Sequence, residues 1–112
     1  MALSKKLPLE SNYQKRLVKK IRKMFPMCYL FVKEAKAIRG IPDLILTVNG
    51  RFIGLEVKRC ESESKHRTGR TVLQRHNINK INRAGGYACF IYPENEEEVI
   101  EAISLISQSS SL

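Results

Sequence analysis

Two carboxylates and an ammonium stand at spacings that suit phosphate chemistry. In Arg51-Phe-Ile-Gly-Leu-Glu-Val-Lys58 the apolar Ile53, Leu55 and Val57 alternate with Phe52, Gly54, Glu56 and Lys58. A strand's period of two sets Glu56 and Lys58 on one face. Asp43 opens the preceding apolar run, and Asn49-Gly50 between the two runs is the strongest short signal for a two-residue hairpin turn. Folding about that turn brings Asp43 to the same end of the hairpin as Glu56 and Lys58. Paired carboxylates on rigid strands hold a hard divalent ion, usually Mg²⁺, with water and phosphate oxygens completing its shell. A lysine beside them orients or deprotonates an attacking water, or neutralises charge developing on the phosphate. An ordinary solvated strand face with a Glu–Lys pair has the same alternation, so spacing alone leaves both readings open.

Two further polar residues fall on faces that point inward. Glu10, Gln14, Leu17 and Ile21 follow one another at helical spacing, which places Glu10 on an apolar helix face. A first-turn glutamate that merely complements the helix dipole has the same position. Gln74 shares a face with Ile78 and Ile81, yet Thr71-Val-Leu-Gln74 equally fits a capping box in which Gln74 folds back on its own helix start. His66 lies in a basic loop and His76 turns away from the inward face. No Ser–His–acid or Cys–His arrangement is suggested by spacing.

The elements that must position these residues are legible in the pattern. Tyr13, Leu17, Ile21 and Met24, widened by Val18 and Phe25, predict an amphipathic helix over Ser4–Phe25, ended by Pro26. Cys28–Val32, Asp43–Val48 and Arg51–Lys58 read as strands, the last two paired antiparallel. Arg59–Arg70 is polar and reads as a mobile loop. A helix over Thr71–Arg83 is closed by Gly85-Gly86, and a strand over Tyr87–Tyr92 is broken by Pro93. Asn95 is placed to cap a last helix, with Glu96, Glu97 and Glu98 on its N-terminal dipole and Val99, Ile103 and Ile106 as its apolar stripe. The order α-β-β-β-α-β-α predicts one mixed β-sheet flanked by helices, an α/β fold. With 112 residues the chain accommodates a single domain, core about 8–107, with a Ser-rich tail.

Charge narrows the partner. The net charge is +9, distributed as +9 over residues 1–40, +5 over 41–84 and −5 over 85–112. Such a field suits a polyanion, most simply nucleic acid, by phosphate neutralisation and counterion release. An anionic membrane surface fits less well, because no helix combines basic and bulky aromatic faces. No apolar run reaches membrane-spanning length, and no apolar stretch follows Lys5-Lys6 as a secretory signal requires. Cys28, Cys60 and Cys89 are odd in number and widely spaced, which argues against a zinc site or a disulfide framework and for a reduced, intracellular setting; Cys28 and Cys89 read as small buried hydrophobes.

Gly40-Ile-Pro-Asp43, then Glu56-Val-Lys58 after twelve residues, resembles the PD-(D/E)xK nuclease signature. Arg39-Gly-Ile-Pro-Asp, the strand Arg51–Lys58, Thr71-x-x-Gln74 and the helix ending Ala84-Gly-Gly-Tyr resemble the virus-type replication-repair nuclease (VRR-NUC) domain. Glu10-Ser-Asn-Tyr-Gln-Lys-Arg-Leu is similar to that family's first-helix acid, so the resemblance runs from about Glu10 to Ile106. It implies a restriction-endonuclease-like core with Asp43, Glu56, the Val57 carbonyl and Glu10 as ligands of Mg²⁺, for which Mn²⁺ substitutes. It implies further that Lys58 is the catalytic lysine and that Gln74 supports the water or Lys58. The expected activity is metal-dependent endonucleolytic hydrolysis of branched DNA, a Holliday junction above all, by a homodimer in phage replication, recombination or repair, in the cytoplasm of a bacterial host. Lys15, Lys19, Arg22 and Lys23 on the first helix and Lys65, Arg67, Arg70 and Arg75 around the second would grip backbone and not read bases. Ile100 and Leu105 beside the last helix's core stripe are candidates for the dimer interface or for more core. A nuclease for flaps, duplex or ends, and a non-catalytic DNA-binding module, are the alternatives.

Overall fold

The computed structural model describes residues 9–34 and 40–109. Along the chain run α1 (Glu10–Met24), β1 (Tyr29–Val32), β2 (Leu44–Val48), β3 (Arg51–Val57), α2 (Glu61–Ser64), α3 (Gly69–Arg83), β4 (Tyr87–Ile91) and α4 (Glu96–Gln108). The strands form one sheet in the order β1-β2-β3-β4. The first two pairings are antiparallel and β3–β4 is parallel, so the sheet is mixed. A parallel neighbour needs a crossover, and α3 supplies it. The expected α/β class and strand count hold, with α2 as an added element.

Asn49 and Gly50 both have positive φ, at 52° and 77°, the signature of a type I′ turn whose twist matches the strands it joins. The Asn49 side chain does more than turn. Its Nδ2 donates to the carbonyls of Ile106 at 3.0 Å and Ser109 at 2.6 Å, fastening the hairpin to the end of α4.

Both amphipathic helices cover the same sheet face. Tyr13, Leu17 and Ile21 of α1 and Val99, Ile100, Ile103 and Ile106 of α4 bury against Leu44, Leu46, Val48, Ile53, Leu55, Val57 and Ile91. Each such aliphatic side chain contributes about 1.5–3 kcal/mol by leaving water. The other face receives α3, under which Ile78 and Ala88 are buried.

Several expectations need correction. The first helix's N-terminal extension, residues 4–8, lies outside the described residues. Met24, placed by periodicity in the apolar stripe, is 47% exposed, because the helix ends there and the stripe passes to buried Phe25. The supposed loop over Arg59–Arg70 folds locally: α2 is held by the i,i+4 pairs Arg59–Glu63 at 2.6 Å and Lys65–Glu61 at 2.9 Å, and α3 begins at Gly69. Asn95 precedes α4 without capping it by its side chain. It instead accepts from Tyr92 N–H at 2.9 Å and donates to the Phe90 carbonyl at 3.0 Å, closing the turn out of β4. Cys28 and Cys89 are half-buried at the edge of the core, and all three thiols are free. Ile100 belongs to the core, whereas Leu105 is exposed.

Candidate active site

Position along the hairpin creates the site. Leu44 pairs with Leu55 across the β2–β3 ladder, so the next rung outward sets Asp43 opposite Glu56. Side chains directly opposed on neighbouring strands share a face, and here that face lies beneath α3. Gly54 shows why the approach is so close. A Cβ at Gly54 would lie 2.8 Å from Pro42 Cγ and 3.3 Å from Ile81 Cδ1. The bare backbone lets Pro42 lie down against β3, and Asp43 follows directly into the site. Gly40 has φ +90° and packs against Asn77 of α3, where a side chain would collide.

Asp43 Oδ2 accepts the Val57 N–H at 2.9 Å, which aims the carboxylate across the end of β3. Its other oxygen, Oδ1, faces Lys33 Nζ at 3.6 Å. Lys33 follows β1 and is anchored by its own N–H, which donates to the Asp43 carbonyl at 2.9 Å. Glu56 is 1% exposed. Its Oε1 accepts from Gln74 Nε2 at 3.2 Å. Glu56 Oε2 and Gln74 Oε1, both buried, have no hydrogen-bond partner. Burial, and then the negative charge of Asp43, push the Glu56 carboxyl up to about 7, while Lys33 pulls it part of the way back. Two neighbouring buried acceptors left orphaned and a carboxyl pushed toward protonation leave a local deficit of positive charge, which a proton or a cation would relieve.

Lys58 continues the Glu56 face, buried, its backbone N–H bound to the Ile91 carbonyl at 2.9 Å and its ammonium 5.7 Å from the centre of the Phe90 ring. Glu10 is the first residue of α1, the helix that packs against the opposite sheet face, and it makes no hydrogen bond or ion pair with the described residues of the site. Its carboxyl is raised by burial and by the charge of Asp43, with Lys58 and Arg70 opposing. Among the described residues no three His, Cys, Asp or Glu side chains gather as a metal-holding cluster. The structure thus brings Asp43, Glu56 and Gln74 into contact, sets Lys58 on the same face beside Phe90, and keeps Glu10 within electrostatic reach of Asp43 and Lys58 without a hydrogen bond to either. Gln74 is settled as inward-facing: Thr68, not Thr71, precedes α3, and no side-chain cap forms there.

The basic residues divide in two. Lys15, Lys19, Arg22 and Lys23 are exposed on the outer side of α1, and Lys65, Arg67 and Arg70 are exposed around the α2–α3 connection. Arg75 is committed to structure, donating from Nη2 to the carbonyls of Ser64 at 2.9 Å and His66 at 3.2 Å. It also lies 6.0 Å from the Phe90 ring centre and lines an open cavity of about 510 Å³ with Lys65, Arg67 and Phe90. Lys33 is not legible in the sequence because its partner depends on the β1–β2 pairing, and nine residues separate it from Asp43 without a two-residue turn signal to fix the register.

No known protein family matches the chain, and no characterised protein or solved structure does either.

Proposed function

We propose that the chain is a metal-dependent, structure-specific DNA endonuclease that hydrolyses phosphodiester bonds in branched DNA, acting on four-way junctions as a homodimer. The observation that carries the proposal is the buried Asp43–Glu56 pair, with Glu56 Oε2 unpartnered beside Gln74. Asp43 Oδ1, Glu56 Oε2 and the Val57 carbonyl would hold a divalent ion, Mg²⁺ or Mn²⁺, whose oxygen-rich shell suits two carboxylates and waters. When bound, such an ion lowers the pKa of water and offsets charge on the phosphate. Lys58, on the same face as Glu56, holds a positive charge toward the attacked phosphate, and Gln74 fixes the rotamer of Glu56. A binding module has no use for two buried carboxylates facing phosphate. The exposed lysines and arginines of α1 and the α2–α3 connection supply sequence-independent grip on the backbone. Leu105, 62% exposed, and the edge strand β1, with Tyr29 72% exposed, are surfaces a second copy would cover.

The test is cleavage of a labelled four-way junction against matched duplex and flap, with Mg²⁺, with Mn²⁺ and with EDTA, by wild type and Asp43→Asn. Paired symmetric nicks near the crossover, lost with EDTA and in the variant, are expected. Metal-dependent cutting of flap or duplex alone would overturn the junction assignment, and tight binding without cutting would overturn the enzyme.

A further inference from the structure

Lys33 lies in the site without a role in the chemistry described so far. Its ammonium is the one cation within ion-pairing distance of Asp43 among the described residues, 3.6 Å from Oδ1, and the Lys33 and Asp43 side chains are 14% and 10% exposed. At 3.6 Å the pair is longer than the 2.7–2.9 Å of a charge-assisted hydrogen bond. The ammonium thus neutralises the carboxylate without being locked to it. Asp43 Oδ2 is already taken by the Val57 N–H, so Oδ1 is the oxygen that remains for any other cation. Lys33 also acts on Glu56, whose carboxyl it draws downward.

We infer that Lys33 is an internal counter-ion of the acidic pair, seated on Asp43 while the site lacks a divalent cation and displaced when one binds. The inference rests on the metal-dependent reading above. An ammonium held close to a carboxylate oxygen repels a divalent cation arriving at that same oxygen, the more so in a partly buried site. The backbone of Lys33 stays hydrogen-bonded to Asp43, so only its four-carbon stem moves. The displaced ammonium stays at the lip of the site, where substrate phosphate arrives. Lys33 is therefore a positioning residue that tunes metal affinity and links metal binding to the surface that meets DNA.

The experiment measures Mn²⁺ affinity by calorimetry in the absence of DNA for wild type, Lys33→Met and Lys33→Arg, with urea unfolding in EDTA alongside. Lys33→Met should bind Mn²⁺ about tenfold or more tightly, because the competing charge is gone. In EDTA the same variant should lose stability, since Asp43 is left buried and unpaired, and regain it with Mn²⁺. Lys33→Arg should bind as wild type does. Unchanged or weaker Mn²⁺ binding by a folded Lys33→Met would overturn the counter-ion role while leaving the metal site standing. Absence of Mn²⁺ binding in both wild type and Lys33→Met would overturn the metal-dependent reading together with this inference. Should Lys33→Met not fold, the wild type labelled with ¹⁵N-lysine decides. The Lys33 ammonium resonance is expected to shift on saturation with Mg²⁺, and an unmoved resonance would sink the idea.

Discussion

Replacing Glu56 by glutamine should make the metal-free protein more stable while removing its activity. In the folded chain the Glu56 carboxyl is held near 7 against an ordinary 4.5, first by burial and then by Asp43. A raised folded-state value means the native protein keeps a proton that the unfolded chain has released. The associated stability is intact below about pH 4.5 and is lost as pH rises toward 7. At about 1.4 kcal/mol per unit, the loss at pH 8 has an upper bound of about 3 kcal/mol. Glutamine resembles the protonated acid without the ionisation. Its carbonyl can accept from Gln74 Nε2, and its amide can donate to the orphaned Gln74 Oε1, relieving both unpartnered atoms. Urea unfolding in EDTA from pH 4.5 to 8 reads the effect directly. The Glu56→Gln advantage should be near zero at the acid end and grow to about 2–3 kcal/mol at pH 8, with unchanged m-values. Added Mg²⁺ should reverse the order by stabilising only the wild type. A variant less stable than wild type at pH 8 in EDTA, or a gap that does not change with pH, would refute the account of the site as a strained acidic pair.

Lys58→Ala should reduce junction cleavage by about 10² or more while leaving DNA affinity within a few-fold, judged by single-turnover cleavage beside a binding titration; an equal loss of both would argue against catalysis. Substituting Lys19 and Lys23 with glutamine should lower the slope of log affinity against log salt by about 0.9 per lost phosphate contact on B-form duplex. A slope that does not move would take the α1 face off the DNA. Gly54→Ala should cost about 1–3 kcal/mol by denaturation and depress cleavage as well, because the new Cβ meets Pro42 and pushes Asp43 out of register; wild-type stability would show that Pro42 yields freely. Tyr13→Phe removes the 2.9 Å bond from its hydroxyl to Glu96 Oε1 and should cost about 1 kcal/mol at pH 7. Burial pushes Glu96 up, but hydrogen bonds from Lys20 and Tyr13 outweigh it and hold the carboxyl below 4.5. That stability is present at neutral pH and fades as pH falls below the ordinary range, so the Tyr13→Phe penalty should shrink in acid.

Local patterns decided a good part of this protein without any long-range information. Alternation in Arg51–Lys58, the Asn49-Gly50 turn and the helical spacing of Tyr13, Leu17 and Ile21 each depend on residues a few positions apart, and each reappears in the structure. Because the turn sets the register, the opposition of Asp43 and Glu56 was implicit in the sequence. Gln74 was ambiguous for the complementary reason. Capping and inward-pointing glutamines share one spacing, and only the packing of α3 against the Glu56 face separates them. Charge-rich Arg59–Arg70 looked like a loop because its stabilising pairs, Arg59–Glu63 and Lys65–Glu61, support a helix of one turn with almost no apolar periodicity to announce it. Asn95 kept its place but changed its task, since the Phe90 carbonyl and the Tyr92 amide competed for it more closely than the helix start did. Tertiary structure alone placed Lys33 on Asp43, tied Asn49 to the end of α4 and folded Pro42 onto Gly54. These contacts join segments whose separation in the chain carries no periodicity, so they become definite only when the sheet closes and burial makes an unpaired charge or an unfilled gap costly.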